Sequence, residues 1–196
     1  FWMRDDVFHP RPMAPPVVLG NMAQWVVDTL WTPEPTNAAS ILEEVQRWTL
    51  TDLTNRCWLD LEWTLTAHVD VIFGRADYGG LFLRMPWTAD AHGDALSSEG
   101  APKDGMRARW MAVRMDIKGR DDGATMAILD DPKNAQQPMT WRVDGQLGIA
   151  PSRCIAGEWK LAAGQSATAR YRVLILGGRA TARELEAEFR QFAGAK

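Results

Sequence analysis

Between Asp130 and Gly148 the chain gathers groups that can bind a ligand or move a proton. Asp130-Asp131-Pro132-Lys133-Asn134 comes first, then Trp141 beside Arg142, with Asp144 two residues further on. A hairpin needs only about two to five connecting residues. A longer, chemically mixed connection between hydrophobic segments reads as an ordered loop that holds polar groups over a surface, and such loops often carry function. Its carboxylates could serve as acid and base, or accept hydrogen bonds from vicinal hydroxyls. Turn chemistry is the competing reading, because Asp before Pro and Asn in a loop also favour tight turns.

Arginines supply the next candidates. Arg107, Arg109, Met111, Val113 and Met115 share one face of a strand if alternation holds, with Trp110 and Arg114 on the other. Arg107 or Arg109 at a cleft would grip a carboxylate or hydroxyls through the guanidinium fork. Arg84 ends the apolar run Leu81-Phe82-Leu83, so its charge must reach solvent or find a partner. A site role and a structural ion pair are both open there. Tryptophan is the compositional outlier, with ten residues against two Tyr and six Phe. Indoles stack on apolar sugar faces, and they equally fill wide cores. Trp63 fits the core reading, while Trp87 and Trp141 sit beside turns and suit a ligand. His9, His68 and His92 are scattered without metal-binding spacing, so no metal is expected, and no motif names a cofactor. No nucleophile elbow or phosphate-binding glycine loop is present.

The elements that must hold these groups are mostly strands. In Trp58–Leu65, residues Leu59, Leu61, Trp63 and Leu65 fall on one face, with Asp60, Glu62 and Thr64 opposite. Further strands are predicted at 69–73, 81–85, 107–117, 125–129, 140–143, 159–162 and 167–176, separated by glycine-containing turns. Residues 38–50 fit a helical stripe or an imperfect alternation, and the following strand favours the latter. Six prolines between residues 10 and 36 argue for irregular or edge segments, leaving Trp25-Val26-Val27 as one short strand. Thr181 and Glu184 form a capping box ahead of Ala182, Leu185, Phe189 and Phe192, an amphipathic helix. The predicted class is all-β, a mostly antiparallel β-sandwich with one C-terminal helix.

At 196 residues, 46% hydrophobic and 24% charged, the chain suits one domain with a sizeable core, spanning 1–196. A net charge of −3 gives no electrostatic reason to expect nucleic acid or an anionic membrane as partner. No apolar run reaches the roughly 18 residues that would span a bilayer. Cys57 and Cys154 lie outside any CxxC pattern and do not fix the compartment, with the cytoplasm slightly favoured. A start at Phe1-Trp2-Met3 reads as a cut through a longer domain, an N-terminally truncated fragment.

From about Cys57 to Phe192 the chain resembles a bacterial domain-of-unknown-function family labelled methane oxygenase PmoA-like. The matching pieces, in order, are Phe73 to Pro86, Ser98-Glu99-Gly100, Arg107-Ala108-Arg109-Trp110, Asp130 to Asn134, Pro138 to Gly148, and Tyr171-Arg172-Val173 ahead of Gly177-Gly178. That family is similar in outline to β-sandwiches of the galactose-mutarotase kind, whose broad sheet face binds sugars. The resemblance therefore implies a carbohydrate-associated domain with a small-molecule sugar ligand, either an enzyme on sugars or sugar-derived metabolites or a non-catalytic binding module. It also implies site roles. Glu99 would be the catalytic acid or base, or bind hydroxyls; Arg84 and Arg142 would contact anions or hydroxyls; Asn134 would match a family position that binds substrate; Trp141 would stack. Arg107, Asp131 and Asp144 are substrate-binding candidates on their own chemistry. The methane-oxidation label is set aside, because that chemistry belongs to a membrane-embedded metal enzyme. Two departures stand out: a His-His-Arg-Gly stretch would lie upstream of Phe1, and Asp130-Asp131-Pro132 stands where the family reads Asp-His-Pro.

Overall fold

The structure, a computed structural model, describes residues 8–33 and 39–194. The opening Phe1-Trp2 pair, Pro35 and Ala38 lie outside the described residues. The strands are β1 (Phe8–Pro10), β2 (Val17–Leu19), β3 (Met22–Trp31), β4 (Leu42–Asp52), β5 (Arg56–Ala67), β6 (Val71–Phe73), β7 (Leu83–Arg84) and β8 (Gly93–Ser97). They continue as β9 (Arg107–Ala108), β10 (Trp110–Met115), β11 (Ala124–Asp130), β12 (Met139–Val143) and β13 (Gly148–Pro151). A single turn, α1 (Arg153–Ala156), precedes β14 (Trp159–Leu161) and β15 (Ser166–Gly177), and α2 (Ala182–Gly194) closes the described chain. The predicted class holds: the molecule is mostly antiparallel β with one C-terminal helix of more than a turn. Among the described residues no helix is long and apolar enough to cross a membrane.

One large sheet organises everything. Its nine strands run β1-β3-β4-β5-β15-β11-β10-β8, with β2 also paired to β3. A four-stranded sheet, β7-β13-β12-β9, and a two-stranded sheet, β14-β6, lie over its inner face. The four-stranded sheet contributes Ala108, Trp141 and Ile149 to the main core, which they share with Leu61, Met111, Val113, Met126, Ile128, Tyr171 and Val173 of the large sheet. The two-stranded sheet packs Val71, Phe73, Trp159 and Leu161 against Leu42, Leu65, Trp31 and Trp63. On the outer face, α2 sets Leu185 and Phe189 against Trp110, Ala112, Ala127, Leu129 and Leu174.

The alternation read in Trp58–Leu65 is realised in β5. Leu61 and Leu65 are buried on the inner face, and Asp60 pairs with Arg172 on the outer one. Residues 42–52 form the strand that the neighbouring alternation favoured. The capping box forms as read: Glu184 accepts from the Thr181 N–H at 2.7 Å, and the Thr181 hydroxyl accepts from the Glu184 N–H.

Three expectations change. The short strand at Trp25–Val27 is a ten-residue strand, paired with β4 from Met22 opposite Thr51 to Trp31 opposite Leu42. No proline occurs between Pro16 and Pro33, so the prolines bracket this strand and leave its donors intact. The single strand at 107–117 is two strands in two sheets: Ala108 pairs with Met139 in the small sheet and Trp110 with Leu129 in the large one. The chain crosses between layers at Arg109, so the proposed alternation breaks there. Arg109 and Trp110 both reach Glu186 of α2. Finally, 81–85 pairs only at Leu83–Arg84.

Leu185 is fully buried between α2 and the sheet. Leu185→Ala should destabilise the fold by about 2–5 kcal/mol, seen as a lower urea midpoint with an unchanged slope.

Candidate functional site

The polar segment after β11 does hold its groups in order, but its first task is structural. It carries the chain from the large sheet at Asp130 to the small sheet at Met139. Asn134 is buried, and its Nδ2 donates to Asp130 Oδ1 and to the Arg170 carbonyl, both at 2.7 Å. Its Oδ1 accepts from the Arg170 N–H at 2.7 Å. Because Asp130 is opposite Tyr171, the side-chain amide continues the β11–β15 ladder one residue past the strand end. Asp131 accepts from the Lys133 N–H at 2.8 Å, a local turn bond, and its own N–H reaches the Arg170 carbonyl. Burial pushes the Asp130 carboxyl up to about 6, against the pull of its bonds from Asn134 and the Met139 N–H.

The remaining sequence candidates occupy separate places. Arg84 binds Asp144 and lies over the Phe82 ring. Burial would raise the Asp144 carboxyl, but the Gly148 N–H, Arg84 and the Gln146 N–H hold it below the ordinary range. Arg142 pairs with Asp104 and sits over Tyr78. Arg107 donates to the carbonyls of Gln136 and Pro138, bracing the crossover. Trp141 is 0% exposed, and its indole N–H donates to the Ala108 carbonyl at 2.8 Å, so no ring face is open for stacking. Glu99 accepts from Arg109, which also binds Glu186 and lies over Phe189 of α2. Glu99 is thus tied to the helix-covered side, away from the small sheets. These residues do not converge on one pocket.

An aromatic-walled concavity lies elsewhere. A cleft of about 950 Å³ opens where the two small sheets leave the inner face of the large one uncovered. Trp31, Trp63, Phe73, Tyr78, Trp159 and Tyr171 give it aromatic walls. Of the sequence candidates only Asn134 lines it; Asp70, Arg75, Arg153 and Cys154 add polar groups. The segment 74–80 forms one rim, tied down by the Ala76 N–H donating to the Cys154 carbonyl at 3.2 Å. Gly80 lets the same segment approach Pro151, with φ at +99° and a Cβ that would collide with the Pro151 carbonyl oxygen. Phe73 and Trp159 stack at 3.9 Å across the two-stranded sheet, and Arg153 lies 4.3 Å over Trp159.

A buried carboxylate sets the indoles. Glu44 accepts from Trp31 Nε1 at 2.7 Å and from Trp63 Nε1 at 2.8 Å, while Gln46 Nε2 donates to the same carboxylate at 2.6 Å. Gln46 in turn accepts from Trp48 Nε1, and Trp48 stacks beside Trp25. The indole N–H groups of Trp31, Trp48 and Trp63 therefore each have an acceptor, as burial requires. Leu42, Glu44, Gln46 and Trp48 fall on one face of β4, so polar residues in phase with Trp48 were the available sequence signal.

Residues 16–190 match the model of a family of unknown function, DUF6807, and the chain belongs to that family. That description carries no methane-oxygenase label. No curated protein matches the chain. Among solved structures it is similar to a candidate aldose 1-epimerase from Klebsiella pneumoniae, at 12% identity and TM-score 0.46, over 91% of this chain and 57% of that one. It is also similar to a galactose mutarotase related enzyme from Lactobacillus acidophilus, at 12% identity and TM-score 0.40, over 87% and 71%. A GH36 α-galactosidase from Geobacillus stearothermophilus gives 13% identity and TM-score 0.35, over 87% and 27%. The chain thus spans little more than half the length of the first of these structures.

Asp130 also gives a pH signature. Its folded pKa of about 6 lies above the ordinary carboxylate value of 3.8, so the folded state binds the proton more tightly. Its contribution is fully present below pH about 4 and is lost as pH rises through 6. Asp94 and Asp144 act oppositely and at lower pH, because their folded values are depressed. Thermal melts should show a falling contribution between pH 4 and 6 that Asp130→Asn removes.

Proposed function

We propose that this protein is a carbohydrate-binding β-sandwich domain that takes its sugar in the aromatic-walled cleft beneath segment 74–80. The observation that carries this reading is the paired fastening of Trp31 and Trp63 to Glu44, on strands that also wall the cleft. Fixing an indole through its N–H orients a broad apolar ring at little further entropic cost. Such rings match the C–H faces of a pyranose. A mostly apolar cleft with a few polar groups, Asp70, Arg75 and Arg153 among them, is the usual form of a small-molecule site.

Binding stands ahead of catalysis for a geometric reason. Glu99, the acid or base that the sequence resemblance implied, is engaged by Arg109 on the helix side of the large sheet. Asp130, beneath the cleft, has no exposed surface and accepts from Asn134 and the Met139 N–H. A general acid or base must lie within hydrogen-bond reach of the proton it moves.

Mono- and disaccharides, sugar acids and sugar phosphates should include one that raises the melting temperature, since a ligand at a hundredfold its Kd adds about 2.7 kcal/mol. Trp63→Ala and Trp159→Ala should abolish that rise, and Trp87→Ala, outside the cleft, should keep it. No rise with any of these sugars, from a chain that melts cooperatively, would refute the proposal.

A further inference from the structure

Two arginines border the cleft without an acidic partner. Arg84, Arg109, Arg114, Arg142, Arg170, Arg172 and Arg179 each meet a carboxylate. Arg75 and Arg153 line the cleft, and among the described residues neither is in an ion pair. Arg153 is half-buried, its guanidinium lies over Trp159, and its Nε is buried with no hydrogen-bond partner. The Trp159 Nε1 below it is likewise buried and unpartnered. Buried donors of this kind normally have acceptors. The Ala76–Cys154 backbone bond joins the residues next to the two arginines, so it brings their segments side by side at one rim. The one carboxylate in the lining, Asp70, accepts from the Ala163 N–H and pairs with neither arginine.

Taking the carbohydrate reading above as its basis, we infer that the cleft is selective for a sugar bearing an anionic group, a carboxylate or a phosphate, which Arg153 and Arg75 receive at the rim while the ring lies against the indoles. A planar guanidinium offers paired donors to either oxyanion, and its stacking on Trp159 fixes the plane in advance. Burial already pushes the Arg153 guanidinium down in pKa, consistent with a cation lacking its counter-charge. The Nη donors of Arg153 have no protein acceptor among the described residues, and the anion supplies one.

The test is calorimetric titration of the protein with glucuronate, galacturonate, glucose 6-phosphate, glucose, galactose, acetate and inorganic phosphate at two salt concentrations. One acidic sugar should bind at least roughly tenfold more tightly than its neutral parent, the scale of one charge-assisted hydrogen bond, and the uronate and phosphate arms identify the anion. Arg153→Gln should erase that preference, so that the acidic sugar binds no more tightly than its neutral parent. Arg75→Gln, on an exposed loop, should reduce it without touching the core. Equal binding of acidic and neutral sugars would overturn the inference and leave the carbohydrate reading intact. Acetate or phosphate binding as tightly as the acidic sugar would overturn it as well, since the ring would then contribute nothing. Failure of every sugar in a chain that melts cooperatively would sink both readings together.

Discussion

A nine-stranded sheet has two faces to remove from water, and no single layer here is wide enough to cover the inner one. The outer face is closed by α2 over β10, β11 and β15. The inner face is closed twice, by the four-stranded sheet over those same strands and by the small β6–β14 sheet toward β4 and β5. The two covers do not meet. What lies between them is the cleft, so the concavity follows from incomplete coverage rather than from any loop built for it. Aromatic residues occupy the uncovered strip because it is still half core.

Covering one sheet with another made from the same chain requires crossings between layers, and the crossings explain the polar residues that look functional in isolation. At Arg109 the chain changes sheets within one residue. At Asp130–Pro138 it does so through a loop that would otherwise leave the Arg170 N–H of β15 without a partner just past the end of the β11 ladder. Asn134 fills that gap with a side-chain amide, which has one donor group and one acceptor in the spacing of a peptide. Arg107 and Asp144 brace neighbouring turns in the same way. Asp131, Asn134 and Arg107, among the candidates, are held by the geometry of that crossing.

Some of this was legible. Alternation in Trp58–Leu65 fixes which residues face inward, and Thr181 with Glu184 announces a helix start, because both are governed by neighbours only a few residues away. Turn chemistry at Asp131 was equally readable. Trp141 was not: its sequence neighbours are polar, yet the four-stranded sheet lays it against the large sheet. The continuous strand read at 107–117 failed for a related reason. Its alternation is regular on paper, and only the need to serve two layers breaks it. Trp31 and Trp63 went unlinked because the carboxylate that joins them comes from a third strand.

Taken alone, the sequence determined that this is an antiparallel β protein with a closing helix, where several of its strands run, and which residues of β5 face the core. Those properties depend on local periodicity and caps, which a chain expresses without knowing its fold. Tertiary structure alone decided which arginines are neutralised and which are left at a cavity rim, and which indoles are core and which are walls. Pairing of charges and covering of faces are contacts between residues distant in sequence, such as Arg109 with Glu186 and Trp31 with Glu44. No local pattern encodes them.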